Sequence, residues 1–177
     1  MFNLVDGIIR VLFFLAYIMA INFSNDIKRV FQYHGAEHKA VNAYEAGIEL
    51  TPENVDRHST LHPRCGTSFL LIVMAVSILI FSLIPKTWPF IWKFLSRIIL
   101  MPLIAGLSYE FVKLSSKKMH NPIISFLAAP GLWLQKLTTG VPTTDQIEVA
   151  ISALKEVLPQ GTGNESIKEC SKDAVTG

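Results

Sequence analysis

The sequence has few charged residues and few cysteines for its length of 177 residues. Asp, Glu, Lys and Arg together account for 17% of it, against about 25% in an ordinary soluble domain. The two cysteines, Cys65 and Cys170, lie far apart, which argues against a disulfide framework. The formal net charge is only +2 and there is no block of Lys or Arg, so we expect no nucleic-acid partner.

Apolar residues are abundant instead. They make up 50% of the chain and raise its mean hydropathy to +0.38, which predicts an all-α integral membrane protein. Three apolar runs, at residues 4–23, 68–84 and 94–112, are long enough for transmembrane helices. The first run contains Asp6 and Arg10 but no small-residue cleavage site, so we interpret it as a retained span. An interfacial amphipathic helix is the alternative.

The distribution of positive charge predicts the topology. Residues 24–67 and the segment just after the third run are rich in positive charge: Lys28, Arg29, Lys39, Arg57 and Arg64 lie in the first, and Lys113, Lys117 and Lys118 in the second. The turn between the second and third runs has fewer positive charges: Lys86 and Lys93, with Arg97 just inside the third run. The positive-inside rule then predicts a multi-pass protein of the inner (cytoplasmic) membrane, whose histidine-rich segment 24–67 and C-terminal part face the cytoplasm.

Two further helices are expected after the third span. Residues 121–138 are apolar but interrupted by a Pro-Gly pair, which predicts an interfacial or re-entrant helix. Residues 145–158 carry an apolar stripe at helical spacing, which predicts a cytoplasmic amphipathic helix. We expect residues 1–158 to form a single membrane domain and the polar residues 159–177 to form a disordered tail.

The motif His34-Gly-Ala-Glu37-His38 carries most of the functional signal. On a helix predicted over residues 26–46, the two histidines lie one turn apart on one face, where both imidazoles can bind one zinc-type ion. Glu37 would then act as general base, and the order of the three residues is that of inverzincins. The alternative is a polar juxtamembrane helix whose histidines face water or headgroups. Glu45 returns to the same helical face about 10 Å further along, which suits a supporting contact or a substrate contact better than direct ligation.

A second polar motif precedes the second span. Pro63 and Gly66 predict a turn in which His62 and Cys65 are possible metal ligands, and Cys65 a possible nucleophile. The alternative is a membrane-entry loop in which Arg64 contacts headgroups and Cys65 is a small buried side chain.

An acidic residue, Glu110, ends the third apolar run. An acid at such a position is either functional or solvated near the membrane surface, here with the help of Lys113. The predicted topology brings Glu110, the His34 motif and the His62 motif to the same membrane face. This convergence favours a metal site.

Several strings resemble the YqhQ-like family of bacterial integral membrane proteins: residues 31–39 (FQYHGAEHK), 61–68 (LHPRCGTS), 107–110 (LSYE), 129–135 (APGLWLQ) and 146–150 (QIEVA). That family has no established function and is described as predicted metal-dependent enzymes. The resemblance implies that the polar motif positions form the site: His34, Glu37, His38, His62, Arg64 and Cys65, with Glu45 and Glu110 behind them. Family members usually carry an additional N-terminal polar region, so we expect that region to come from another chain, or the protein to be incomplete or to form a homo-oligomer.

We therefore expect a membrane-embedded, metal-dependent hydrolase with its site at the cytoplasmic face. The expected ligands of a divalent ion, Zn²⁺ in type, are His34 and His38 with one of His62, Cys65 and Glu110. Glu37 would act as general base, and Arg64 would hold an anionic substrate or a developing oxyanion. The substrate would be lipid-linked or a membrane peptide. The alternatives are a non-enzymatic membrane assembly or metal-sensing protein and, more weakly supported, a transporter component in which Glu110 marks an ion path.

Overall fold

The computed structural model describes residues 2–85 and 87–158, and every regular element among them is an α-helix. The helices are α1 (Phe2–Ile21), α2 (Asn25–Glu45), α3 (Pro52–Asp56), α4 (Gly66–Ser82), α5 (Phe90–Lys117), α6 (Pro122–Thr138) and α7 (Thr144–Val157). The predicted all-α class is confirmed for this part of the chain. The predicted disordered tail, 159–177, lies outside the described residues.

One of these helices, α5, is long and apolar enough to cross a membrane. The helix α4 is apolar but has only 17 residues, and α1 and α2 pass the same test only when they are counted together as one broken span. A single helix of this kind supports membrane association at a coarse level. The three-span topology stays a prediction.

The described residues cluster into two compact units. Residues 2–20, 63–85 and 87–135 belong to one, called the apolar unit, and residues 21–62 and 136–158 belong to the other, called the polar unit. The single domain expected over residues 1–158 stays a prediction.

In the polar unit, α2 packs against α3 and α7. Its core consists of small side chains from α2 and larger aliphatic ones from its partners: Ala36, Ala40, Ala43, Val55, Ile147 and Ile151. The three alanines recur at helical spacing, so they form one face of α2 on which the aliphatic side chains can lie close to the backbone. The apolar stripe of α7 is therefore covered by α2 and α3.

Local sequence signals set the ends of these helices. Gly47 has a φ of 69°, the left-handed conformation that glycine allows just after a helix, and it follows the end of α2. Thr51 caps α3, whose first residue is Pro52. The Thr143 N–H donates to the side-chain oxygen of Gln146 over 2.9 Å at the start of α7.

Two glycines allow α2 to approach the segment that joins α6 to α7. The Gly140 N–H donates to the Phe31 carbonyl over 2.7 Å. A Cβ atom added to Gly35 would lie 2.1 Å from the Gly140 carbonyl oxygen, far closer than atoms can approach. Glycine at position 35 is therefore required for this backbone contact.

In the apolar unit, α4 packs against α5, and α6 approaches the start of α4. The buried Gln135 side chain donates to the Ser68 hydroxyl over 2.7 Å, and a Cβ atom on Gly131 would lie 3.1 Å from Ser68. The interruption expected at the Pro-Gly pair is wrong, because α6 is one continuous helix through Pro130. The proline removes one backbone hydrogen bond, but the close packing at Gly131 and Gln135 holds the following turns in place.

Candidate metal centre

Two histidines of α2 form the centre of the candidate site. His34 and His38 are one turn apart, and their ring centroids lie 4.4 Å from each other in an edge-on arrangement. One ring nitrogen of each lies within 4.8 Å of the other. His38 is buried and His34 is partly buried, so both rings are held inside the polar unit instead of facing water.

Backbone carbonyl groups orient both rings. The His34 Nδ1 lies 2.8 Å from the Thr138 carbonyl oxygen, and the His38 Nδ1 lies 2.6 Å from the Thr60 carbonyl oxygen. Because a carbonyl oxygen can only accept, each Nδ1 must carry the proton and donate. In the neutral ring the lone pair is then on Nε2, which is how metal-binding histidines are commonly oriented.

A third imidazole and a carboxylate join this pair. The His62 ring centroid lies 5.9 Å from that of His38, and the His62 Nε2 lies 3.2 Å from a carboxylate oxygen of Glu45. His62 is buried, whereas the Glu45 side chain is 39% exposed. A carboxylate that accepts from Nε2 leaves the lone pair of neutral His62 on Nδ1. The polar unit thus gathers His34, His38, His62 and Glu45.

Two other side chains of α2 hold the segment that carries His62. Asn42 donates to the carbonyl oxygens of Ser59 and Leu61 over 2.8 and 3.1 Å. The buried Lys39 ammonium donates to the backbone oxygen of Asp56 and lies 2.9 Å from its carboxylate. Sequence reasoning did not identify Asn42, although its position one turn after His38 was a usable signal.

Glu37 lies on a different side of α2. It is exposed and lines a cavity of about 360 Å³ between α2 and α7, together with Tyr33 and apolar residues of α7. It makes no hydrogen bond or ion pair within the described part of the chain. Its predicted role as general base stays a prediction.

The other predicted site residues belong to the apolar unit. Cys65 is buried at the N-cap position of α4, with its sulfur 3.1 Å from the Thr67 hydroxyl. The Arg64 Nε donates to the Ser116 hydroxyl over 3.0 Å. Glu110 is exposed on α5. That these residues share one metal site with the histidines stays a prediction.

Comparison with known protein families assigns the chain to one of them. Residues 1–160 match the model of a family described as "Protein of unknown function (DUF1385)". The chain belongs to the DUF1385 family. Over 154 residues it is 42% identical to "Uncharacterized protein YqhQ" of Bacillus subtilis (strain 168), an alignment that covers 87% of this chain and 48% of the relative. The predicted resemblance to YqhQ is confirmed, and the chain spans about half the length of that curated relative.

Neither description assigns an activity to this DUF1385 protein or to its relative. No solved structure matches the chain. The side chains of the site therefore provide the basis for a functional proposal.

Proposed function

We propose that this DUF1385 protein binds a divalent transition metal, Zn²⁺ in type, through His34 and His38. One observation carries the proposal: the Nδ1 atoms of both rings are held by backbone carbonyl oxygens. This arrangement presents Nε2 as the ligand atom of each ring and limits the rotation of both rings. Imidazoles of this kind suit zinc and its neighbours better than magnesium or calcium.

The third ligand is one of three candidates. His62 is in the same unit as the pair, and Glu45 would act behind it as the carboxylate that orients its ring. Cys65 and Glu110 are the alternatives. Three protein ligands would leave a coordination position for substrate, whereas four would close the site.

The activity that we propose is metal-dependent hydrolysis at the cytoplasmic face of the inner membrane, with α1, α4 and α5 as the three spans. A bound zinc-type ion would supply Lewis-acid activation of water. Glu37 would accept a proton, and Arg64 would hold an anionic part of a lipid-linked or membrane-peptide substrate.

A non-enzymatic metal-binding or assembly role is the second candidate. It is favoured by the position of Glu37, which lines the cavity beside α7 together with apolar residues and without either histidine. A metal that only stabilises or signals would need the imidazoles but no general base.

The metal content of the detergent-purified full chain tests the proposal. We expect close to one equivalent of zinc or a similar metal, measured by mass spectrometry of the elements after purification without chelators. Replacement by Co²⁺ should give the visible bands of a four-coordinate nitrogen site, and a sulfur-to-cobalt charge-transfer band only if Cys65 is a ligand. A protein that takes up neither metal, even after both are resupplied, would disprove the metal centre.

The contact between Glu45 and His62 leads to a separate prediction. We expect Glu45→Gln to lower metal affinity by about 10- to 100-fold without abolishing binding, because the amide no longer holds the His62 ring with a charged acceptor. Competition with a chromogenic chelator measures the affinity. The matched control is Glu49→Gln, which neutralises an exposed glutamate four residues further along the chain. Equal affinities in the two variants would show that Glu45 does not support the metal.

A further inference from the structure

The apolar unit contains a cavity whose lining includes Arg64 and Cys65, which the metal proposal also names, but neither histidine of the pair. It has a volume of about 390 Å³ and lies between the start of α4 and the last turns of α5. Its lining includes three cationic side chains, those of Arg64, Lys113 and Lys117, but no Asp or Glu. Such a cavity favours an anionic ligand.

Two of the three cations lie on α5, and the third, Arg64, is hydrogen-bonded to α5. Lys113 and Lys117 are one turn apart on α5, so their side chains extend on the same side of the helix. Arg64 is oriented by its Nε hydrogen bond to Ser116, which lies between the two lysines in sequence. Flexible lysines around an oriented guanidinium form a common arrangement for binding a phosphate group.

The remaining wall is largely apolar. Phe69 and Val112 line the cavity, and the Tyr109 side chain lies beside them. The α5 helix that supplies this wall is the one described helix that is long and apolar enough by itself to cross a membrane. A ligand that fills the whole cavity would therefore have an anionic head and a hydrocarbon body.

We propose that this cavity binds a lipid phosphate, with the phosphate between Arg64, Lys113 and Lys117 and the first part of the acyl chain against Phe69 and Val112. Cationic side chains at the boundary of an apolar helix are the groups that recognise anionic lipid heads. The binding itself is independent of the metal. Its further consequence, that the hydrolase acts on a phosphate-bearing lipid, rests on the proposed function.

The test measures binding by the full chain in neutral detergent with three probes: phosphatidic acid, phosphatidylcholine of the same chain length, and inorganic phosphate. Isothermal titration calorimetry gives each affinity. We expect phosphatidic acid to bind more tightly than both other probes, because only phosphatidic acid has both a phosphate monoester without a cationic headgroup and a hydrocarbon body. Equal binding of phosphatidylcholine would overturn the role of the cations. Inorganic phosphate as tight as phosphatidic acid would overturn the lipid and indicate a free-phosphate site.

Paired charge variants test the location. Lys113→Gln/Lys117→Gln should weaken phosphatidic acid binding by about 30-fold. The control Lys28→Gln/Lys155→Gln removes the same charge from exposed lysines of the polar unit and should leave the affinity unchanged. An equal loss in both variants would show that only the net charge matters and would overturn the site.

Failure of this proposal can be distinguished from failure of the metal centre. The same titration is repeated with chelator-treated His34→Ala/His38→Ala protein, for which we expect unchanged phosphatidic acid affinity. Loss of lipid binding there would overturn a metal-independent cavity. The metal content of the Lys113→Gln/Lys117→Gln variant reports on the metal centre alone.

Discussion

The His34→Ala/His38→Ala variant is expected to lose its bound metal. Substitution of residues that only orient a metal ligand typically costs about 10- to 100-fold in affinity, so removal of two direct ligands should cost more than about 100-fold. Alanine is the strongest helix former, so α2 should persist, and circular dichroism can check this. The measurement is metal per protein after purification, followed by titration with Zn²⁺.

The chain provides a matched control for this variant. Two of its five histidines lie outside the cluster: His58, whose Nδ1 contacts the Asn54 carbonyl over 3.0 Å, and the exposed His120. His58→Ala/His120→Ala removes the same number of imidazoles and should retain the metal. If both double variants lost metal equally, binding would reflect histidines in general; if neither did, the assignment of His34 and His38 would be wrong.

Gly35→Ala is expected to produce the largest loss of stability among single substitutions at the site. The new methyl group would lie 2.1 Å from the Gly140 carbonyl oxygen, which is backbone and has no flexible side chain that could move away. The contact between Gly140 and Phe31 would have to separate, at a cost of about 3 kcal/mol or more. Chemical denaturation measures this cost, and limited proteolysis should show earlier cleavage near residue 140.

The control for this substitution is Gly106→Ala on α5. A Cβ atom there would meet nothing within 4 Å, and alanine favours a helix over glycine by about 1 kcal/mol. We expect unchanged or slightly higher stability. Equal stability of Gly35→Ala and Gly106→Ala would mean that α2 and the segment before α7 do not approach each other this closely. Metal affinity should fall only in Gly35→Ala, because the displaced segment also carries the Thr138 carbonyl.

Local features of the fold could be predicted from the sequence because local physics determines them. Gly47 ends α2 and Thr51 begins α3 through contacts within a few residues of each position. The spacing of His34 and His38 placed both rings on one helical face for the same reason. The helix over residues 121–138 was predicted, but its continuity through Pro130 was not, because the cost of proline is local, while the packing that overcomes it comes from a residue distant in sequence, Ser68.

The positions of the site residues relative to one another depend on contacts between segments distant in sequence, and the spacing of residues along the chain does not predict these contacts. The rotation of α2 indicated that Glu45 shares a face with the histidines, but its partner, His62, is 17 residues away and reaches it only through the folded chain. Glu37 is one residue from His38, yet it lines a cavity beside α7 that neither His34 nor His38 lines. The carbonyl groups that orient His34 and His38 have no sequence signature, because every residue has one.

These carbonyl contacts imply an uneven tolerance to genetic change around the site. The side chains at positions 60 and 138 do not form the hydrogen bonds to His34 and His38, so amino-acid exchange there leaves the bonding groups themselves intact. Loss or gain of one residue in either segment would instead shift the acceptor by about 3.5 Å, more than the length of a hydrogen bond. In a deletion scan, metal binding should therefore depend more on the lengths of the segments around residues 60 and 138 than on the identities of their amino acids.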